Sequence, residues 1–373
     1  MTLSVRNNIE KLLHRADITI NGTRPWDIRI HNDLFFDRIL REGSLGLGES
    51  YMDRWWDVEK LDEFFYRILR ADLHRRFESA VYHLWYEFKS LFRNPQNESK
   101  SFEVGERHYD VGNDLYEVML DPRMIYTCGY WKPGNDLEQA QVNKLDHVCR
   151  ILDLGPDQRI LDIGCGWGGF AAYAAEQYEC EVVGITVSVR QAELARVRCR
   201  GLPVEIRLQD YREVDEQFDH IVSLGMFEHV GQKNYRTYFQ VADRCLADEG
   251  IFVLHTIGGN RSVTHTDPWI EKYIFPNSMI PSIRQIGLAI EDLFLMEDWS
   301  NRGPDYDKTL MAWHENVNRG WEQLMNTYSE RFRRMWNYYL LSSAGSFRAR
   351  KNNQWQIVLT KKGRTAPVTI PPL

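Results

Sequence analysis

The sequence predicts an α/β fold with a mostly parallel, doubly wound sheet, preceded by a smaller, mainly helical N-terminal domain. Three observations lead to this prediction. A short apolar run, Arg159–Ile163, is followed at once by a glycine-rich turn and an alanine-rich helix, Phe170–Gln177. From there, short apolar runs alternate with helical segments almost to the end of the chain. The first 92 residues lack this alternation and contain helical stretches that are rich in aromatic residues.

The N-terminal region begins with a predicted β-hairpin. Asp17–Ile30 alternates polar and apolar residues around an Asn21-Gly22 turn, the usual pattern of such a hairpin. A glycine-punctuated segment, GSLGLG, separates the first two of the helical stretches that follow. These stretches are Asp33–Arg41, Leu61–Leu69 and Arg75–Phe92. Their aromatic side chains favour a helical core over a lipid-contacting face.

The polar stretch Arg93–Ser101 breaks the helical periodicity and predicts a linker. The chain therefore divides into an N-terminal domain (1–92), a linker (93–101) and a C-terminal domain (102–373). Gly105–Trp131 is too irregular for one helix and too aromatic for a solvated loop, which favours a packed, function-bearing lid. An amphipathic helix is predicted at Asp136–Leu152.

The C-terminal domain contains seven predicted strands separated by helical or turn sequence. They are Arg159–Ile163, Glu181–Thr186, Val204–Leu208, Asp219–Leu224, Ile251–His255, Leu293–Trp299 and Trp355–Thr360. Ser188 is the expected N-cap of a helix that continues to Cys199. Ligands of such sheets bind at the carboxyl ends of the strands, so polar residues at those ends are the candidates for a site.

Composition and charge exclude several classes of function. The 373 residues carry a net charge of −7, which argues against a general attraction to nucleic acid. The six cysteines show no C-x-x-C spacing, so we expect reduced thiols, no structural zinc, no other metal site, and a cytoplasmic location. No segment approaches the roughly 20 apolar residues of a membrane span, and the N-terminus lacks the apolar run of a signal peptide. Any contact with a membrane is therefore expected to be peripheral.

The glycine turn after the first of these strands predicts a nucleoside site. Asp162, Gly164, Gly166 and Gly168 form a D-x-G-x-G-x-G pattern. Glycines accept positive φ and let a ligand lie against bare backbone, and the following helix adds free N–H groups. Dinucleotide sites are similar, but this form is typical of the turn that binds S-adenosylmethionine (SAM) in methyltransferases.

Polar residues after the next two strands fit the same ligand. Many SAM enzymes carry an acid after the second strand to hold the ribose, but this chain has Thr186, Ser188 and Gln191 there. The missing acid also disfavours NAD. Asp210 and Tyr211 follow the third strand, in a position to bind the adenine amino group. Alternatively, Asp210 only caps a helix.

One titratable residue follows the fourth strand, and another ends the fifth. Glu228 comes after three apolar residues, so a buried carboxylate there must be hydrogen-bonded or functional. His255 is the last residue of an apolar strand; it is either a core histidine or part of a site. Two such groups beside a cofactor indicate proton transfer.

Motifs throughout the chain resemble the cyclopropane-fatty-acyl-phospholipid synthase family. They are GSLGLGESYMDRWW, YDVGND, LDPRMIYTCGYW, LDIGCGWGG, SLGMFEHVG, GIFVLHTIGG, DPWIEKYIFPN, MEDW, DYDKTLMAW and AGSFRAR. The resemblance implies the class I SAM-methyltransferase fold with a seven-stranded sheet. It also implies transfer of a methylene group from SAM to the cis double bond of an unsaturated acyl chain in a phospholipid. A carbocation would form and be deprotonated to close the ring.

The resemblance also implies roles for individual residues. The residues around SAM would be Tyr126, Thr127, Gly164, Gly166, Thr186, Gln191 and Asp210. A bicarbonate ion would be held by Cys128, Glu228, His255, Tyr306 and the backbone of Ile257. Aromatic candidates for stabilising the carbocation, by motif position, are Tyr126, Tyr130, Trp131, Phe227 and Tyr306. One position departs from the pattern: family members often carry a cysteine where this chain has Ser343, and no base adjoins that serine in the sequence, which argues against covalent catalysis.

Docking on a membrane would need local basic and aromatic residues, because the net charge opposes it. Candidates in the N-terminal region are Arg67, Arg70, Arg75 and Arg76. We expect residues 1–92 to dock the protein on the inner face of the cell membrane, through a homodimer. Two alternatives stay open: a SAM enzyme that methylates an amine or makes a methyl-branched lipid, and a lipid-binding module without catalysis.

Overall fold

A computed structural model of the chain describes residues 2–73 and 112–373, with side chains from residue 6 on. These residues form two compact units. The first holds the described residues up to 73, Thr264–Pro276 and Tyr306–Asn352, and the second holds the others. The predicted helix Arg75–Phe92, the linker at 93–101 and residues 105–111 of the predicted lid lie outside the described residues.

The helices and strands are numbered along the described residues. Up to residue 73 they are α1 (Thr2–Arg15), β1 (Arg29–Ile30), α2 (Leu34–Glu42), α3 (Ser44–Met52), β2 (Trp56–Asp57) and α4 (Leu61–Arg70). From residue 112 on they are α5 (Asn113–Met119), α6 (Leu137–Ile151), β3 (Arg159–Ile163), α7 (Gly169–Tyr178), β4 (Glu181–Thr186), α8 (Val189–Arg198), β5 (Val204–Leu208), β6 (Phe218–Leu224), α9 (Tyr235–Cys245), β7 (Leu246–Gly259), α10 (Pro268–Tyr273), α11 (Ile283–Ile290), β8 (Phe294–Asn301), α12 (Gly303–Arg319), α13 (Trp321–Leu324), α14 (Glu330–Arg348) and β9 (Asn352–Lys361).

The predicted hairpin at Asp17–Ile30 is wrong. Ile20 and Ile28 form only an isolated parallel bridge, and β1 pairs antiparallel with β2 instead. The Asp27 carboxylate accepts hydrogen bonds from the backbone N–H groups of Thr19 (2.8 Å) and Arg24 (2.9 Å). A buried carboxylate thus binds N–H groups that a hairpin would have paired along its ladder, and the segment folds as a compact loop.

The glycine-punctuated segment between α2 and α4 is helical, which the sequence did not predict. A Cβ on Gly46 would come within 2.7 Å of the backbone oxygen of Arg38 in α2, and one on Gly48 within 2.3 Å of the Trp269 ring. These glycines therefore permit close packing of α3 rather than breaking a helix. The cost in helix propensity, about 1 kcal/mol for each glycine, is offset by that packing.

The first unit has a helical core. Gly345 of α14 lies so close to α4 that a Cβ there would stand 2.6 Å from the backbone oxygen of Asp62. Arg348, at the end of α14, donates to the carboxylates of Asp62 (2.7 Å) and Asp307 (2.9 Å). Close backbone contact and half-buried ion pairs together fix α14 against α4. Two of this unit's segments, Thr264–Pro276 and Tyr306–Asn352, come from the region that the sequence analysis assigned to the C-terminal domain.

The second unit contains the predicted sheet. Its seven strands lie in the order β5-β4-β3-β6-β7-β9-β8. The first five are parallel to one another, and β8 pairs antiparallel with β9. The predicted α/β fold with a mostly parallel seven-stranded sheet is confirmed, and the bounds of β3, β4 and β5 are those predicted.

Helices cover both faces of this sheet. Ile160 of β3 packs into a buried cluster with residues of α6 and α7, whereas Leu161 and Ile163 pack into a larger cluster with residues of α9 and α11. Alternate residues of one strand thus enter two different cores, as a doubly wound sheet requires. No described helix is long and apolar enough to cross a membrane.

Candidate active site

The glycine turn begins at the carboxyl end of β3 with three glycines at positive φ. These are Gly164 (83°), Gly166 (56°) and Gly168 (79°). A Cβ on Gly164 would stand 2.6 Å from that of Met226, and one on Gly168 would stand 2.9 Å from Cys199 Sγ. A Cβ on Gly166 would meet nothing within 4 Å. Gly166 therefore presents bare backbone to open space, as a ligand cradle requires.

Asp162 lies directly before this turn and is almost completely buried. One carboxylate oxygen, Oδ2, has no hydrogen-bond partner in the described part of the chain. Burial raises the pKa of Asp162 to about 7, and Lys144 partly offsets this rise. An unpartnered buried oxygen is costly, and a hydrogen bond from a ligand would relieve that cost.

Lys144 is a site residue that the sequence analysis missed. It lies on α6 with no exposed surface, and its Nζ donates to Thr127 Oγ1 at 2.8 Å. Burial lowers its pKa to about 8, against the opposing effect of Asp121, Cys128 and Asp162. Its spacing from Ala140 and Val148 along the amphipathic helix places it on the buried face, which was the available signal.

The residues after β4 hold one another in place. Thr186 Oγ1 donates to Gln191 Oε1 (2.9 Å) and accepts from the backbone of Ser188 (3.2 Å). Ser188 is the N-cap of α8, as predicted, because its side chain accepts from the backbone of Gln191. The three side chains are buried together at the carboxyl edge; their contact with a ribose stays a prediction.

Asp210 caps a short 3₁₀ turn, as the alternative interpretation proposed. Its carboxylate is also paired with Arg212 through Nε (2.8 Å) and Nη2 (2.9 Å). The adjacent Tyr211 is buried, and its hydroxyl has no partner among the described residues. A contact of either residue with adenine stays a prediction, and Tyr211 is the one with an unused polar atom.

Tyr126 and Thr127 follow α5 in the irregular segment that leads to α6. The Tyr126 ring lies edge-on to Tyr116, 5.2 Å between centroids, and Tyr116 in turn lies 4.8 Å from Trp167 of the glycine turn. The Thr127 backbone oxygen accepts from Gln141 at 2.8 Å. The segment is therefore packed between the glycine turn and α6.

Glu228 is held by the end of β7. Its Oε1 accepts from the backbone N–H of Ile257 at 2.5 Å, and its own backbone oxygen accepts from Met279 at 2.8 Å. The second carboxylate oxygen, Oε2, is buried without a partner in the regions that the structure describes. Burial raises the pKa of Glu228 to about 7. Such a carboxyl group is suited to accept a proton near neutral pH.

His255 belongs to a buried polar cluster. Its Nε2 lies 3.1 Å from Tyr130 Oη and 3.1 Å from Gln356 Oε1, and Tyr130 donates to Gln356 at 2.8 Å. Because Gln356 Oε1 can only accept, this arrangement favours the tautomer with the hydrogen on Nε2. Nδ1 is then a buried acceptor, and it has no partner among the described residues. Burial lowers the pKa of His255 to about 3, so the ring is neutral.

Three further residues that the resemblance implied, Cys128, Phe227 and Tyr306, lie in different surroundings. The Cys128 thiol is buried and donates to the backbone oxygens of Gly129 (3.3 Å) and Arg302 (3.8 Å). Phe227 is enclosed by core aromatic rings and stacks on Tyr235 with centroids 4.4 Å apart. Tyr306 belongs to the first unit, where it stacks on Phe347 at 4.6 Å.

Ser343 lies half-buried on α14, with no hydrogen bond to a histidine, acid or lysine among the described residues. Without a base to activate the hydroxyl, a covalent role is unsupported. We expect Ser343→Ala to keep turnover within about threefold of the unmodified protein. A loss of several orders of magnitude, with SAM and lipid still bound, would contradict this expectation.

Comparisons with known proteins identify relatives that match most of the chain. The family of mycolic acid cyclopropane synthetases matches residues 96–357. The chain is 53% identical over 358 residues to cyclopropane-fatty-acyl-phospholipid synthase of Escherichia coli (strain K12), covering 94% of this chain and 92% of that protein. It is 31% identical to tuberculostearic acid methyltransferase of Mycobacterium tuberculosis, covering 93% and 87%. The solved structure of mycolic acid cyclopropane synthase CmaA1 complexed with SAH and CTAB superimposes with a TM-score of 0.66 at 30% identity, covering 70% of this chain and 98% of that chain.

Proposed function

Because this chain belongs to the mycolic acid cyclopropane synthetase family and is a SAM-dependent methyltransferase, we propose that it builds cyclopropane rings on phospholipid acyl chains. A methylene group would pass from SAM to a cis double bond. The observation that carries this proposal is the pair of buried hydrogen-bond acceptors, Glu228 Oε2 and His255 Nδ1, which have no partner among the described residues and lie at the sheet edge that also holds the glycine turn.

SAM would lie against the carboxyl ends of β3, β4 and β5. The bare backbone at Gly166 fits the close approach of the nucleoside. The unpartnered oxygen of Asp162 could accept a hydrogen bond from SAM. Thr186 and Gln191 take the place of the missing ribose acid. The residues present therefore fit SAM.

The reaction requires that the double bond be aligned with the methyl group of SAM and that water be excluded from the site. An alkene is a poor nucleophile, so its π bond must be held in line with the activated methyl group, which contributes roughly 7–11 kcal/mol to lowering the barrier. Positive charge then develops on a carbon within hydrocarbon, and water must be excluded because it would trap the cation as an alcohol. Of the candidate aromatic rings, Tyr130 is buried beside His255, whereas Phe227 is enclosed by the core.

Ring closure then requires loss of one proton from the transferred methyl group. Glu228 is fixed through Oε1 by the Ile257 backbone, which leaves Oε2 to accept a proton. Burial lowers the pKa of His255 and keeps its ring neutral. The contacts of Nε2 with Tyr130 and Gln356 fix the orientation of the ring and therefore the direction of Nδ1.

The site fits a bicarbonate ion in part. Its single O–H group can donate to one of the two buried acceptors, Glu228 Oε2 or His255 Nδ1. The Ile257 N–H, however, already donates to Glu228, so a contact of that backbone with the ion stays a prediction. Cys128 would complete its surroundings in this unit, and the role that the resemblance implies for Tyr306 stays a prediction. When bound, the ion would supply a small proton acceptor that is not tethered to the chain.

This proposal predicts that turnover depends on carbonate. In buffer freed of carbonate and kept under inert gas we expect the rate to fall at least tenfold, and added bicarbonate should restore it. Formate and chloride at equal ionic strength are the controls. An unchanged rate without carbonate would assign proton removal to Glu228 directly.

A methyl-branched lipid is the second candidate product, because one similar protein is named a tuberculostearic acid methyltransferase. A saturated branch would need a hydride donor, whereas the buried acceptors favour proton loss. The retained set of Gly166, Glu228 and His255 argues against a lipid-binding module without catalysis.

The first experiment follows labelled methyl groups from SAM into vesicles of unsaturated phosphatidylethanolamine. Label is expected in the acyl chains, which gain one carbon and two hydrogens. The proposal would be overturned by label in the lipid headgroup, or by label in an added amine with none in the lipid.

We further propose peripheral action at the inner face of the cell membrane, by a homodimer whose residues 1–92 contribute to docking.

A further inference from the structure

The second unit carries an exposed apolar and basic surface beside the carboxyl end of β7, here called the α11 patch. Its apolar members are Val263 (40% exposed), Ile283 (52%) and Leu288 (58%), and its basic members are Arg261 and Arg284. Large apolar side chains that cluster on a surface indicate an interaction site, whereas single ones do not.

Contacts hold these residues on one rigid surface. Ser262 Oγ lies 2.8 Å from Ser282 Oγ, and Gln285 Nε2 donates to the Val263 backbone oxygen at 3.0 Å. The 260–263 segment therefore lies on the first turn of α11. Ser282 and Gln285 also form a complete capping box, which fixes that turn.

The apolar members of α11 share its outer face. Ile283, Arg284 and Leu288 are exposed, whereas Ile286, Ala289 and Ile290 are buried in the larger core cluster. At 3.6 residues per turn these three exposed residues fall within an arc of about 140°, opposite the buried ones. The buried side anchors α11, so the exposed leucine and isoleucine cannot turn inwards without unpacking the core.

The charge of the patch is positive at the end nearest the site. Arg261 and Arg284 have no ion pair within the described ranges, 2–73 and 112–373. The acids of this region, Glu291 and Asp292, lie beyond the opposite end of α11, and Asp292 pairs with Lys362 at 3.3 Å. Two unpaired guanidinium groups flanked by apolar side chains complement an anionic phosphate surface above hydrocarbon.

The patch is continuous with the site. β7 carries His255 and Ile257 and ends at Gly259, whose N–H donates to Pro281 at 2.8 Å just before α11. From Ile257 to Arg261 the chain is four residues long, at most about 14 Å when extended. A headgroup at the patch would thus lie within the reach of an acyl chain whose double bond is at the site.

We propose that the α11 patch docks on the surface of a membrane that contains anionic phospholipid. This rests on the proposed lipid substrate. It adds a docking surface in the second unit to the one expected in residues 1–92, and it places the entry of the acyl chain beside the carboxyl end of β7.

The test measures partition onto vesicles of saturated lipids, which offer no double bond and so separate docking from chemistry. Each basic residue at an anionic surface contributes about fivefold to partition, so Arg261→Ala with Arg284→Ala should lower it about 25-fold on phosphatidylglycerol vesicles. On phosphatidylcholine vesicles the same pair should have little effect. Ile283→Ser with Leu288→Ser should lower partition about tenfold or more on both.

Matched controls are Arg200→Ala and Val197→Ser, which remove an exposed arginine and an apolar residue of the same 58% exposure as Leu288 from another part of the unit. Unchanged SAM affinity shows that each variant is folded; if a double variant fails to fold, Arg284→Ala alone carries the test with an expected fivefold loss. Equal partition of patch variants and unmodified protein, or equal losses in the controls, would overturn the proposal. Ring formation by the unmodified protein, measured separately on unsaturated vesicles, would in that case leave the proposed function intact.

Discussion

Gly166→Val is expected to abolish measurable SAM binding while the fold largely survives. The new side chain would project into the open space at the glycine turn, where the ligand would meet the backbone. Gly166 also has φ of 56°, which a β-branched residue adopts only with strain of at least 1–2 kcal/mol. That strain is small beside the 5–15 kcal/mol of a typical free energy of unfolding.

Gly201→Val is the control that separates the effect of backbone strain from the effect of blocking the SAM site. Gly201 also has positive φ, 85°, and open space around its Cβ position, but it precedes β5 at the amino edge of the sheet. Calorimetry should therefore show at least a hundredfold weaker SAM binding for Gly166→Val and normal binding for Gly201→Val. Unchanged affinity in a folded Gly166→Val protein would mean that SAM binds elsewhere.

Glu228→Gln should lower turnover about 10²–10⁴-fold, the usual range for loss of a proton-transfer group, with SAM affinity changed less than threefold. The amide keeps the shape and can still accept from Ile257, but it offers no basic oxygen at the position of Oε2. Glu297→Gln is the matched control, because Glu297 also accepts a hydrogen bond, from Thr360 at 2.8 Å, on β8. A proportional loss of SAM affinity, or near-normal turnover, would contradict this role.

The same substitution should alter the dependence of stability on pH. Burial raises the pKa of Glu228 from 4.5 to about 7, so ionising it costs folding free energy. Stability from this group is fully present below pH 4.5, falls as pH rises towards 7, and is lost above it. Glu228→Gln removes this loss, so at pH 8 the variant should be more stable by up to roughly 3 kcal/mol. Turnover of the unmodified protein should in contrast rise with pH through about 7, as Glu228 ionises.

The sheet was predictable because most of its strands contain a short apolar run with a clear break at one or both ends. β3, for example, begins at Arg159 and ends at the glycine turn, so its bounds are visible in the sequence. Polar residues that follow parallel strands must meet at one edge, and Leu224, four residues before Glu228, lies opposite His255 in the pairing of β6 with β7. Local pattern and simple topology were sufficient there.

The missed features depend on contacts between distant parts of the chain. Gln356 reaches His255 only because β9 lies next to β7 in the sheet. Lys144 was not singled out, because lysine is almost never fully buried unless it is paired, and its partner Thr127 lies outside α6. The glycines of α3 indicated a break because their packing partner Trp269 lies more than 200 residues further on.

The central claim is tested most directly by the fate of the methyl hydrogens. SAM with a fully deuterated methyl group is supplied with unsaturated phospholipid vesicles, and the acyl chains are analysed by mass spectrometry and by proton NMR. The account predicts chains that retain two of the three deuterium atoms, have lost the double bond and carry ring protons. Chains that retain all three deuterium atoms, or that keep a double bond beside a methyl or methylene branch, would contradict it.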